Sequence, residues 1–136
     1  MIKEIVKDEA FLGVPSENAD AEDIPALDDL RDTLHANEWR CVGMAGNMIG
    51  VRKRMIVFVE NGKIEEMFNP VLLKRDGAYQ TEEGCLSLIG KRTVKRYNSI
   101  KVRWQTRDMK PRIRTFSGFT AQIIQHEMDH LDGIVI

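Results

Sequence analysis

Late in the sequence, His126 and His130 stand four residues apart with Glu127 between them. No other feature constrains the chain as much. Histidines at i and i+4 lie on one face only if the segment is a helix. Two imidazoles so placed can share one ion, with the intervening carboxyl beside it to move protons. The flanks agree: Ser117 is a candidate N-cap, Asp132-Gly133 a candidate stop, and the spacing predicts a helix over 118–131. Phe119 and Ile123 share the histidine face, so the site is expected to point into the fold. A chance HExxH on a surface helix is the plainer reading. The amphipathic pattern around it argues for a site.

A catalytic ion normally takes three protein ligands and keeps one position open. Only Leu131 to Ile136 follow His130, and none offers the distant third ligand of common zinc peptidases. The third ligand is therefore expected upstream, among Cys41, Cys85, His35 and the carboxylates. Cys85 sits in Glu83-Gly84-Cys85-Leu86-Ser87, where Gly84 lets backbone come close. Alone it reads as an inert buried thiol. With HExxH in the same chain it reads as a ligand, giving Cys85, His126 and His130.

The remaining chain suits one domain over 1–136. Residues 1–22 read as an extended arm and polar loop. A helix is expected from Asp23, with Asp23 as N-cap, Pro25 in the first turn, and Ile24, Leu27, Leu30 and Leu34 on one face. Trp39 is expected to close that face. Residues 43–50 form a small-residue loop. Strands are expected over 55–60 and 63–68 about an Asn61-Gly62 turn, and over 71–74 and 79–83 about Asp76-Gly77. Further strands fall at 93–96, 99–104 and 112–116. The class is α+β: mostly antiparallel strands around a C-terminal metal-binding helix.

Net charge is -1 at pH 7, which does not mark a general nucleic-acid or membrane binder. The run of Lys91, Arg92, Lys95, Arg96, Lys101 and Arg103 reads as a solvated face, with ribosomal RNA as the sharper alternative. No apolar run reaches about 18 residues, the start does not resemble a signal peptide, and two distant cysteines make no disulfide framework. The expected compartment is the cytoplasm.

EGCLS at 83–87 and QHEMDH at 125–130, in that order about forty residues apart, resemble two signature motifs of the peptide deformylase family. The resemblance covers nearly the whole chain and implies a deformylase-like fold. It implies one divalent ion on Cys85, His126 and His130, with ferrous iron expected in the cell and nickel, cobalt or zinc as substitutes. Glu127 would pass a proton from water to the leaving amine. The substrate would be the N-formyl group on the first methionine of new polypeptides, with the ribosome a possible partner. Leu86 would offer its backbone N–H to the oxyanion, Gly43 would line the substrate site, and Arg92 would orient the peptide. Glu83 and Gln125 would hold the ligands in place.

The chain departs from the family's first motif at 41–50. Its first glycine is Cys41 and its glutamine is Met48. A thioether donates no hydrogen bond, and losing such an oxyanion donor typically costs about 10²–10³ in turnover. Asn47 carries the nearest amide. Gln122, one turn before His126, stands where an apolar residue facing the methionine side chain is expected. Cys41 is either an apolar filler or a thiol able to compete for metal or pair with Cys85. The leading expectation is a metal-dependent deformylase, weak or retuned. The alternative is a metal-bearing protein that binds N-blocked peptides without efficient turnover. A zinc peptidase is disfavoured for want of a downstream ligand.

Overall fold

The computed structural model describes residues 1–135; Ile136 lies outside them. Among these residues, helices α1 (Glu9–Leu12), α2 (Ile24–Ala36) and α3 (Gly118–Leu131) flank a five-stranded sheet. Its strands are β1 (Gly43–Ala45), β2 (Met55–Glu60), β3 (Lys63–Cys85), β4 (Leu88–Gln105) and β5 (Pro111–Ser117). They pair in chain order, each antiparallel to the next. The α+β class holds. The Asn61-Gly62 turn holds too: both residues have positive φ, the backbone that a tight right-twisted hairpin requires.

Residues 71–74 and 79–83 do not form a hairpin. Both belong to β3, which continues through Asp76-Gly77 against β4, pairing Asp76 with Ser99 and Ala78 with Tyr97. Gly77 adopts φ +76 inside the strand, and a Cβ there would lie 3.2 Å from the Asn98 Cβ. The glycine thus serves a kink and a close approach, not a turn. Residues 93–96 and 99–104 are likewise one strand, β4. The turn joining the two long strands is Leu86-Ser87, between paired Cys85 and Leu88. It sets the cysteine at a strand end.

The amino-terminal region also departs from expectation. Residues 1–22 include the short α1 and part of a 3-10 turn at Ala21–Asp23. Asp23 does not cap α2 with its side chain, because its carboxylate accepts from the Asp20 N–H at 2.9 Å. Asp20 returns the favour by accepting from Glu22 N–H. The 43–50 segment is ordered as β1 followed by a 3-10 turn, Gly46–Ile49.

Two apolar clusters fix these parts. Helix α3 packs Ala121, Ile124 and Leu131 against Ile56, Phe58, Ile100, Val102 and Phe116 of the sheet. Helix α2 buries Leu27, Leu30 and Leu34 with Met44, Met48, Met55 and Phe68. Each fully buried leucine contributes about 1.5–3 kcal/mol. Trp39 does not close this face; it is 79% exposed, with Arg40 5.0 Å above its ring. Trp39 lies in the six-residue connection between Ala36 and Gly43.

Candidate metal centre

Strand alternation places Glu83 and Cys85 two residues apart on one face of β3, toward α3. The i, i+4 spacing brings His126 and His130 to meet them. The imidazole Nε2 atoms stand 3.1 Å apart, and Cys85 Sγ lies 3.4 Å from His130 Nε2. All three donor atoms fall within 4.8 Å of one another. Tetrahedral bonds of about 2.05 Å to nitrogen and about 2.3 Å to sulfur would set these separations near about 3.3 and about 3.6 Å. The donor set fits a single divalent ion.

The chemistry of the nitrogens agrees. His126 Nδ1 lies 2.7 Å from Glu83 Oε1. Burial drives the Glu83 carboxyl upward, but hydrogen bonds from His126 and Arg96 override it and hold it at about 2. Glu83 is therefore an ionised acceptor, and His126 donates to it from Nδ1, which turns its Nε2 toward His130 Nε2. In the protein alone, burial pulls His126 down, but Cys85 and Glu83 lift it to about 10, while burial and the neighbouring His126 push His130 down to about 3. One ring carries charge and the other gives way.

Beneath His126, both Glu83 oxygens have partners. Arg96 grips Glu83 with Nη2 at 2.7 Å and Nε at 3.0 Å, and reaches Asp129 from Nη1 at 2.6 Å. Gln122 Nε2 donates to Glu83 Oε2 at 3.0 Å. Arg96 is only 4% exposed, so it leaves the solvated basic face where the sequence reading put it. Its signal was present: it falls in phase with Ile100 and Val102, the inward positions of β4.

Glu127 is buried on the other side of the site, and its Oε1 bonds to no protein atom among the described residues. Burial raises its carboxyl to about 7. A Cβ at Gly43 would come within 2.8 Å of Glu127 Oε2 and of Ile123 Cγ2, so only glycine leaves room for this carboxyl. A cavity of about 480 Å³ opens here, lined by Gly43, Met48, Cys85, Leu86, Gln122, His126 and Glu127 among others.

Some expected residues lie elsewhere. Arg92 does not line this cavity and sits 4.0 Å from Glu9 of α1. Among the described residues, Gln125 makes no hydrogen bond to either histidine ring. It clamps α3 to β4, accepting from Tyr97 N–H at 2.9 Å and donating to Tyr97 C=O at 2.8 Å. Phe119 stands at the cavity mouth, 64% exposed, and does not point inward with Ile123. Asn47 gives its amide to the His130 carbonyl at 2.9 Å and stays outside the cavity, so it does not stand in for an amide at position 48. Met48 lines the cavity, its sulfur 3.5 Å from the Ala45 N–H, and Val6 N–H braces its carbonyl at 2.8 Å. The Cys41 thiol donates to the Gly43 carbonyl at 2.9 Å, and burial pushes it up to about 12, so it stays protonated at neutral pH. No helix among the described residues is long and apolar enough to cross a membrane.

The family model for polypeptide deformylase matches residues 3–136. A peptide deformylase of Clostridium beijerinckii is 56% identical over 136 residues, covering 100% of both chains. A crystal structure of peptide deformylase from Thermus thermophilus superposes with a TM-score of 0.87 at 32% identity, covering 99% of this chain and 83% of that one. A Met-Ala-Ser-bound class I type b peptide deformylase from Acinetobacter baumannii gives 0.89 at 26% identity, covering 99% and 97%.

Proposed function

This chain belongs to the peptide deformylase family, metal-dependent hydrolases that act on N-formyl peptides, and on that premise we propose that it removes the formyl group from the first methionine of new polypeptides. The observation that carries the proposal is the buried, unpartnered Glu127 carboxyl beside a complete Cys/His/His donor set. Residues 1–136 act as one domain in the cytoplasm, meeting substrate as it leaves the ribosome.

Cys85, His126 and His130 hold the ion, ferrous iron in the cell, with nickel, cobalt or zinc able to replace it. When bound, the ion supplies the charge that acidifies a water and polarises the formyl carbonyl. Glu127 takes a proton at Oε1 and returns it to the amine nitrogen of the departing peptide. Burial, which disfavours the charged carboxyl, favours its taking up that proton. The Leu86 N–H, at the turn beside Cys85, donates to the oxyanion. Glu83 fixes the His126 ring through Nδ1. Gly43 keeps the wall flat against the peptide, and the apolar wall excludes water.

Met48 brings no donor to the oxyanion, so turnover is retuned relative to a site with an amide there. This same feature favours the second reading, a protein that binds N-blocked peptides and releases them unchanged. Deformylation of formyl-Met-Ala-Ser by protein prepared without oxygen and loaded with iron or nickel tests the choice. Turnover lost in Glu127→Ala supports the enzyme; bound metal without turnover in the native chain supports the binder.

A further inference from the structure

Gln122 and His126 are one turn apart on the same face of α3 and line the same cavity. Side chains four residues apart on a helix are about 5–6 Å from one another. A formyl peptide's first side chain starts three bonds from the formyl carbon. With that carbon at the metal ligands, a side chain that follows α3 toward its N-terminus reaches Gln122. Phe119 and Ile123 are the apolar members of this wall.

The Gln122 amide is held by two partners. The Tyr79 hydroxyl donates to Oε1 at 3.3 Å, and Nε2 donates to Glu83 Oε2 at 3.0 Å. A primary amide has two N–H groups. Glu83 takes one, and no other acceptor among the described residues takes the second. An apolar side chain laid over that N–H strips its water and returns nothing. A side chain bearing an oxygen at the same depth satisfies it. Methionine sulfoxide is methionine with one oxygen added at sulfur, and so places an acceptor there with little change of shape.

We propose that Gln122 sets the selectivity for the first side chain, admitting N-formyl peptides that begin with methionine sulfoxide alongside those that begin with methionine. The proposal rests on the deformylase reading above. Gln122 acts on the first side chain, not on the reacting carbon, and Tyr79 is a positioning residue behind it.

The test is calorimetric titration of formyl-Met-Ala-Ser and its sulfoxide counterpart into nickel-loaded Glu127→Gln protein, which holds substrate without turning it over. The two peptides are expected to bind within about threefold of each other. Adding Gln122→Leu should weaken the sulfoxide peptide about tenfold relative to the methionine peptide. Tyr79→Phe, which leaves Gln122 in place but frees its carbonyl, should shift the same ratio about twofold. It gives a second answer where Gln122→Leu does not fold. An unchanged ratio in the variants that fold overturns the proposal. Turnover of formyl-Met-Ala-Ser by the native chain, measured in parallel, judges the deformylase reading separately, because the binding ratio does not depend on it.

Discussion

Two buried carboxylates flank His126 and live by opposite rules. Glu83, on the β3 side, meets Arg96, Gln122 and His126, and its carboxyl is held at about 2. Glu127, on α3, has an Oε1 with no partner among the described residues, and burial lifts it to about 7. Both are glutamates little exposed to solvent, but Glu127 is the more deeply enclosed, and its neighbours differ. A fully partnered charge is fixed and serves geometry. An unpartnered one is poised between two protonation states and serves chemistry. The fold brings one from β3 and the other from α3.

The sharpest way to break this contrast is to neutralise each carboxyl. Glu127→Gln should lower turnover of formyl-Met-Ala-Ser by about 10²–10⁴ without releasing the ion, as read by steady-state kinetics beside metal analysis. Arg96→Met should cost about 3–5 kcal/mol in urea unfolding, because it removes the buried guanidinium that pairs with both Glu83 and Asp129. Glu83→Gln should weaken metal affinity about 10–100-fold by competition with a chelator, since His126 loses the partner that orients it. Met48→Gln should raise turnover up to about a hundredfold if the oxyanion lacks a second donor. No change would show that the Leu86 N–H and the ion suffice.

The two carboxyls should also shift the pH dependence of stability, with opposite sign. In metal-stripped protein, Glu83 titrates below its ordinary 4.5. Folding therefore gains stability from it above 4.5 and loses that gain as pH falls toward 2. Glu127 titrates above its ordinary 4.5. Its contribution is present below 4.5 and is lost as pH rises toward 7. Chemical unfolding across this range should show Glu83→Gln flattening the acid limb and Glu127→Gln flattening the neutral one.

Much of this site could be read from residue spacing. The i, i+4 histidines, the glutamate between them and a cysteine beside a glycine carry their geometry in short range. What escaped depends on long range. Arg96 looked like one more surface cation, because nothing local says that Glu83 and Asp129 wait for it across the sheet and the helix. Asp76-Gly77 looked like a turn, because a glycine with positive φ serves a strand kink equally well, and only the β4 register decides. Asn47 and Gln125 looked like site residues, yet each spends its amide on backbone and holds α3 in place. The sequence neighbourhood of a ligand does not say which way a side chain turns.

Turnover and bound metal measured together on Glu127→Gln and Glu83→Gln, both prepared without oxygen, test the contrast most directly. The account predicts that Glu127→Gln keeps its ion and loses turnover, whereas Glu83→Gln loses ion and turnover in proportion. A Glu127→Gln protein that still deformylates, or a Glu83→Gln protein that keeps its ion as tightly as the native chain, would contradict it.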